Sequence, residues 1–263
     1  MFKELIFLLL FTCVLTGQSQ SLRTELITSS PLIADEFIGI DEFQSVYYIT
    51  DNILYKKTDK KLFSYSNINA GDLTSVNIQN PFKVILFYAN FNAAIILDNN
   101  LNELTQQIDF TKETKFNNVS LVSTASQNNI WLYADDNKLH LYDYQRLNEL
   151  LQTQATTFYN SDFSVKNMVS TYKTVWVLSK KTVLEFNEYG IYTKSYPYEN
   201  IEQIFPYQKG YIYQDKNQFY YQETNTLTPV SLEFNGNIKS VSVNSAFLFI
   251  FDGKSIYHFQ IKR

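Results

Sequence analysis

Residues 128–143 of this chain read Asn-Asn-Ile-Trp-Leu-Tyr-Ala-Asp-Asp-Asn-Lys-Leu-His-Leu-Tyr-Asp, and this pattern predicts a β-hairpin. The apolar run from Ile130 to Ala134 has the length of a strand. It stops at an Asp-Asp-Asn sequence, whose residues tolerate the left-handed backbone of a tight turn. A second strand follows, in which Leu139 and Leu141 alternate with polar or partly polar residues. The pattern therefore predicts an architecture and indicates no particular chemistry.

The same order of parts, an apolar strand, a polar turn and an alternating strand, recurs at five other places. The six copies begin at Val46, Val84, Ile130, Val175, Tyr211 and Phe247, so successive copies are 38, 46, 45, 36 and 36 residues apart. A four-stranded blade of a β-propeller takes about 40 to 50 residues. The spacing predicts an all-β chain that folds as a single β-propeller with six four-stranded blades.

The composition agrees with this fold class and excludes several functions. The chain has 20 Tyr and 21 Phe, which favour strands, and no long segment keeps a helical period of apolar residues. The net charge is −4 and the charges are scattered, so there is no basic patch for a nucleic-acid partner. Only seven glycines occur, and they are not grouped, which excludes a phosphate-binding loop.

The N-terminus predicts export. Lys3 is followed by an apolar block from Leu5 to Phe11 that is too short to span a membrane, so we interpret residues 1–17 as a signal peptide. The alternative is a lipoprotein anchored at Cys13. The expected location is the periplasm or cell envelope, with no transmembrane span left after cleavage. Residues 18–263 would then form one propeller domain without cysteine, which we expect to be monomeric.

The two ends of the chain predict how the propeller closes. Residues 22–28, Leu-Arg-Thr-Glu-Leu-Ile-Thr, form a strand without a partner beside it in sequence. The last copy of the hairpin, with the strand before it, supplies only three strands before the chain ends at Arg263. If the N-terminal strand provides the fourth, both unpaired sheet edges disappear. We therefore expect residues 22–28 to pair with the last strand of the chain.

Two copies of the hairpin carry a more specific resemblance. Ile130-Trp-Leu followed by Leu139-His-Leu-Tyr-Asp143 is one, and Val175-Trp-Val followed by Val183-Leu-Glu-Phe-Asn187 is the other. These segments resemble the repeats of bacterial sensor-type and quinoprotein-like β-propellers. The resemblance implies the propeller fold, but it implies no functional residue.

Candidate site residues are few. Asp51, Asp98, Asp135, Asp215 and Asp252 each fall at the turn of a hairpin, so a ring of acids on one face could bind a cation or a basic partner. Aspartate is also a favoured turn residue, which explains the same pattern without a function. His140 and His258 are interpreted as half-exposed strand residues, and Trp131 and Trp176 as core between blades. No catalytic residue, cofactor or metal site is predicted.

Two functions remain open. The first is a non-catalytic propeller of the cell envelope that binds a protein or glycan partner through the loops of one face. The alternative is a carbohydrate-active hydrolase or lyase, which would need carboxylates that converge at the central channel.

Overall fold

In the computed structural model, residues 21–201, 203–216 and 218–263 are described. Strands account for 54% of these residues and helices for 5%, so the predicted all-β class is confirmed. The predicted signal peptide, residues 1–17, and the alternative anchor Cys13 lie outside the described residues. Within the described ranges, no helix is long and apolar enough to cross a membrane.

After strand β1, Leu22–Pro31, the chain forms four sheets of four strands each. The first contains β2–β5: Glu36–Ile40, Val46–Thr50, Ile53–Lys57 and Leu62–Tyr65. The second contains β6–β9: Ser75–Asn77, Val84–Tyr88, Ala93–Leu97 and Ile108–Asp109. The third contains β10–β13: Val119–Thr124, Asn129–Ala134, Leu139–Asp143 and Asn148–Gln152. The fourth contains β14–β17: Val165–Ser170, Thr174–Ser179, Thr182–Asn187 and Tyr192–Pro197.

The rest of the chain and β1 form a fifth sheet, which has eight strands. Its first unit is β18–β21: Ile204–Tyr207, Gly210–Asp215, Gln218–Glu223 and Thr226–Ser231. Its second unit is β22–β24 with β1: Ser240–Val243, Phe247–Phe251 and Ser255–Lys262. The sequence predicts six separate four-stranded sheets, whereas hydrogen bonding divides the described strands into five sheets.

Strand β1 is the reason for this difference. It runs antiparallel to β24, from Arg23 opposite Lys262 to Pro31 opposite Ser255, so the predicted pairing of the two ends of the chain is observed. Its first residues also pair in parallel with β21, with Leu22 opposite Val230. Because β1 uses both of its edges at this point, it joins two four-stranded units into one hydrogen-bonded sheet.

The connections between strands are short and follow local turn chemistry. Asp51 and Asn52 both have positive φ angles, 52° and 60°, between β3 and β4, as a tight hairpin turn requires. Asn137 has the same backbone, with φ of 60°, between β11 and β12. Helical segments within the described chain are single turns: a 3-10 turn at Ala89–Phe91, α1 at Phe110–Glu113 and α2 at Thr156–Tyr159.

The core lies between neighbouring sheets rather than within one sheet. Trp131 packs with Val175, Val177 and Phe186 of the next sheet, and Trp176 packs with residues of β18 and β19. Both tryptophans are buried, which confirms their prediction as core between blades. Burial of each large apolar side chain contributes about 1.5–3 kcal/mol to the free energy of folding. These contacts therefore stabilise the packing of each sheet against the next.

Five of the six first strands lie side by side. Strand β2 contacts β22, β22 contacts β18, β18 contacts β14 and β14 contacts β10. We call the face where these first strands begin the upper face, and the face where they end the lower face. Because strands alternate in direction, the hairpins between second and third strands lie on the upper face. The other connections within each unit lie on the lower face.

Candidate functional site

A cavity of about 450 Å³ opens at the upper ends of the first strands. All six units contribute residues to its wall, including Val76, Leu121 and Val241. Side chains that can form hydrogen bonds lie among these apolar residues: Glu36, Thr74, Ser75, Asn77, Asn167, Gln203 and Ser240. A concave wall that mixes apolar side chains with hydrogen-bonding groups can hold a polar ligand.

A second cavity, of about 420 Å³, adjoins the first and shares Gln203, Ser240 and Val241 with it. Its wall includes Asp215 and Lys239. Partial burial raises the pKa of Glu36 in the first cavity, and the positive charge of Lys239 opposes that shift. Charged groups of both signs therefore surround the upper opening.

A smaller cavity, of about 170 Å³, lies at the lower ends of the first strands and shares Ile38, Val76 and Val241 with the first cavity, and we call the space that the two form the channel. Asp41 and Glu42 are the carboxylates of its wall among the described residues. The Asp41 carboxylate accepts hydrogen bonds from the backbone N–H groups of Phe43, at 2.9 Å, and Ser45, at 2.8 Å. It also accepts one from the Tyr47 hydroxyl at 3.1 Å. These bonds hold the buried Asp41 in a structural role.

Two buried lysines lie beneath the loops of the lower face. Lys56 Nζ is 3.7 Å from Asp41 Oδ2 and donates hydrogen bonds to the carbonyl and side-chain oxygens of Asn99. Burial lowers the pKa of Lys56, and the Asp41 carboxylate opposes that shift. This lysine therefore ties a loop of the first sheet to a loop of the second.

Lys83 is buried without an anionic partner in the described part of the chain. Its Nζ donates hydrogen bonds to the backbone carbonyls of Ala125, Gln127 and Asn129, at 2.6, 2.9 and 2.8 Å. Burial lowers its pKa to about 8. Three carbonyl oxygens match the three donors of an ammonium group, so Lys83 fastens the lower loop of the second sheet to that of the third.

The five predicted aspartates do not share one face. Asp51, Asp135, Asp215 and Asp252 lie at hairpins between second and third strands, and hence on the upper face. Asp98 follows β8, the third strand of its sheet, so it lies on the lower face. The placement expected for Asp98 was wrong because the hairpin of the second sheet turns at Ala89–Phe91 instead.

Two of these carboxylates, those of Asp98 and Asp252, accept hydrogen bonds from the backbone of their own turns. Asp98 Oδ1 accepts hydrogen bonds from the backbone N–H groups of Asn100 and Asn102. Asp252 Oδ1 does the same for Lys254 and Ser255, and these backbone bonds lower the pKa of Asp252. Within residues 21–201, 203–216 and 218–263, no three acidic, histidine or cysteine side chains converge as they would around a metal ion.

His140 differs most from its expected environment. The prediction of a half-exposed strand residue was wrong, since its side chain is fully buried. Nε2 lies 3.0 Å from Asp136 Oδ1, Nδ1 lies 3.3 Å from Glu149 Oε1, and the ring packs on Phe116. Asp136 belongs to the adjacent turn and could be paired from sequence, whereas Glu149 and Phe116 come from separate elements.

No family model and no curated protein matches this sequence. Solved structures with a similar fold include the Pan2 WD40 domain of Neurospora crassa, at 10% identity and a TM-score of 0.57, covering 86% of this chain and 74% of that one. Virginiamycin B lyase from Staphylococcus aureus has 11% identity and a TM-score of 0.55, with 84% and 78% covered. A chain of a mitotic checkpoint complex has 8% identity and a TM-score of 0.59, with 100% and 99% covered.

At these identities the similarity concerns the fold alone. The similar structures are β-propellers of the WD40 kind and a bacterial lyase, and they differ widely in what they do. The chain therefore has a β-propeller-like fold and is assigned to no specific family.

Proposed function

We propose that this chain is an exported, non-catalytic β-propeller that binds a protein or glycan partner of the cell envelope through its upper face. The observation that carries the proposal is the pair of adjoining cavities on that face, of about 450 and 420 Å³. Their walls present amide and hydroxyl groups among apolar ones, a combination suited to a polar ligand with many hydrogen-bonding groups.

The proposed scaffold has six blades closed by β1. In support, the eight-stranded sheet consists of two four-stranded units whose backbones pair with each other through β1 and β21. One apolar cluster lies between these units and includes Leu22, Ile212 and Leu248. Another joins Phe249 and Phe251 of the last unit to Phe37 of the first sheet, as a ring requires.

The proposed location rests on the N-terminal sequence. Lys3 and the apolar block after it support cleavage near residue 17 and release into the periplasm or cell envelope. Cys13 supports the alternative of a lipid anchor. Mass spectrometry of the N-terminus of protein purified from cell-envelope fractions distinguishes the two, because only the lipoprotein begins at a modified Cys13.

The binding proposal is tested with a glycan array and a pull-down from envelope fractions. The double variant Asn167→Ala with Gln203→Ala removes two amides from the upper cavity and should reduce binding about tenfold or more. The matched control is Gln79→Ala, an exposed glutamine at the lower end of the same channel, which should bind normally. Equal binding by the double variant and the wild type would contradict the upper face as the site.

The enzymatic alternative has less support. Glycoside hydrolysis uses two carboxyl groups on either side of the reacting bond. Among the described residues, the first upper cavity has one carboxylate, Glu36, and the adjoining cavity has Glu199 and Asp215, so neither places two carboxylates around a single reacting bond as a defined pair. At the lower end, hydrogen bonds hold Asp41 in place beside Glu42. A Glu36→Gln variant that retained partner binding would agree with a binding role.

A further inference from the structure

Two exposed phenylalanines meet on the lower face, away from the proposed binding site. Phe43 follows the first strand of the first sheet, and Phe82 follows the first strand of the second. Each is 59% exposed, and their ring centroids lie 5.6 Å apart in an edge-to-face arrangement. We call these two residues the lower aromatic pair. Large aromatic side chains left in water at neighbouring positions are typical of interaction sites.

The loops that carry the pair are held by equivalent local hydrogen bonds. Asp41 Oδ1 accepts from the backbone N–H of Phe43, two residues later, at 2.9 Å. Asn80 Oδ1 accepts from the backbone N–H of Phe82, also two residues later, at 3.0 Å. Both phenylalanines therefore leave an Asx turn at the same position, which fixes their backbone.

The two buried lysines hold these loops in place from the interior of the protein. Lys83 directly follows Phe82 and is fastened to three carbonyls of the third sheet, while Lys56 lies 3.7 Å from Asp41, the residue that caps the turn of Phe43. A partner that bound the lower aromatic pair would not have to order these loops. This reduces the entropic cost of binding.

The pair has an acidic neighbour. Glu42 is exposed and forms no ion pair within the described part of the chain. It borders the lower cavity, and Tyr172 approaches it from the fourth sheet: burial raises the pKa of Tyr172, and the Glu42 carboxylate adds to the shift. An apolar surface and an unpaired negative charge are thus presented together.

We infer that the lower aromatic pair is a second docking site, independent of the upper cavity, for an extended peptide segment in which an apolar side chain lies next to a lysine or arginine. The apolar side chain packs against Phe43 and Phe82, and the cation lies near Glu42. A protein with both sites could connect a ligand on its upper face to a protein on its lower face.

The geometry favours a peptide over other occupants. A sugar ring stacks flat on an aromatic face, but here the edge of one ring covers the face of the other at an interplanar angle of 78°. Membrane surfaces carry anionic lipids, which Glu42 would repel. An apolar side chain with an adjacent cation matches both the shape and the charge of the site.

A random twelve-residue peptide library displayed on phage tests the inference. Selection on the wild-type chain should enrich peptides with a basic residue beside a large apolar one. The double variant Phe43→Ser with Phe82→Ser should weaken their binding about tenfold or more. Glu42→Gln should weaken it less and reduce its dependence on salt. Phe91→Ser is the control, because Phe91 is 53% exposed and lies on the upper face.

Three results would overturn the inference: no enrichment over the double variant, enriched peptides without a basic residue, or binding that survives loss of both phenylalanines. Binding of anionic phospholipid vesicles or of an arrayed glycan that depended on the pair would also overturn it. Thermal melting establishes that each variant is folded. Because Asn167 lines the upper cavity and not the lower one, the single variant Asn167→Ala separates failure of this inference from failure of the proposed function.

Discussion

The two faces of this molecule are built in different ways. On the upper face the described acids Asp51, Asp135 and Asp252 lie in local turns at the surface. On the lower face, Lys56 and Lys83 are buried and connect loops of different sheets. The difference is that each of these upper turns is formed by residues adjacent in sequence, whereas a loop held by a buried ammonium group depends on another part of the chain.

The residues of the two faces are also expected to contribute differently to stability and to binding. Exposed charges in turns contribute little to the free energy of unfolding, because water solvates them well. A buried amine that satisfies several carbonyls contributes more, since its loss leaves those groups without partners. We therefore expect substitutions of the buried lysines of the lower face to affect folding and substitutions of the upper acids to affect mainly binding.

The largest effect is expected from breaking the proposed closure of the ring by β1. Deletion of residues 18–30 removes nearly all of β1, including the buried Leu22, and exposes the edge of β24. The loss should approach the total stability of a domain, about 5–15 kcal/mol, and abolish cooperative thermal unfolding. Circular dichroism during heating measures this. An unchanged melting temperature would refute closure by β1.

The control for this deletion is Leu26→Thr. Leu26 is an exposed residue of the same strand, and its backbone pairing with β24 is retained in the variant. Its melting temperature should stay within about 3 °C of the wild type, because exposed substitutions have small effects.

The next effect concerns the anchors of the lower face. Lys83→Met keeps the apolar stem and removes the ammonium group, so the carbonyls of Ala125, Gln127 and Asn129 lose a donor. We expect the free energy of unfolding in urea to fall by about 3 kcal/mol. Lys173→Met, at an exposed lysine on the same face, should change it by less than about 0.5 kcal/mol. Equal losses in the two variants would contradict the role of Lys83.

A smaller, pH-dependent effect is expected beside the closing strand. His258 packs on Phe247 and Phe249, and burial lowers its pKa below the usual value near 6.5. As the pH falls below that value, the unfolded chain takes up the proton before the folded chain does. The stability present at neutral pH is therefore lost as the pH falls towards the pKa of the folded state.

Replacement of His258 by Gln removes the group that takes up this proton. The variant therefore tests whether acidification lowers the stability through His258. Urea unfolding at about pH 7.5 and about pH 5 brackets the ordinary histidine pKa. The wild type should lose more stability between these two values than His258→Gln does. A wild type that gains stability relative to the variant on acidification would show that the sign is wrong.

The smallest effects on stability are expected from substitutions of the turn aspartates. The double variant Asp51→Asn with Asp135→Asn should change the free energy of unfolding by less than about 0.5 kcal/mol. Asp98→Asn on the lower face should cost about 1 kcal/mol, because the new amide nitrogen cannot accept the hydrogen bond that Asn102 Nδ2 donates to Asp98 Oδ2. Urea unfolding of the three proteins measures the difference. If the upper acids proved the more costly, the comparison would fail.

Much of the fold could be predicted from particular residues. The hairpin at Ile130–Tyr142 and its copies predict alternating strands because apolar residues alternate and turn residues separate them. The unpaired strand at residues 22–28 predicts the pairing with β24, since an edge without a partner is unfavourable. The parallel contact of Leu22 with Val230 could not be predicted, because it depends on how far β1 extends past its antiparallel partner.

The candidate sites could be predicted less well. Aspartates at turns are visible in the sequence, but Asp98 was placed on the wrong face because a 3-10 turn carries the hairpin of its sheet. The lower aromatic pair joins residues 43 and 82, and the bonds of Lys83 reach residues 125–129. No local pattern relates such distant positions.

The sequence by itself determined the class of fold, the repeat and the pairing of the chain's ends, because each follows from periodicity and from the need to pair backbone groups. Only the tertiary structure decided which side chains meet at the two ends of the channel. Those contacts depend on how neighbouring sheets pack, and packing brings together residues that the sequence keeps about 40 positions apart.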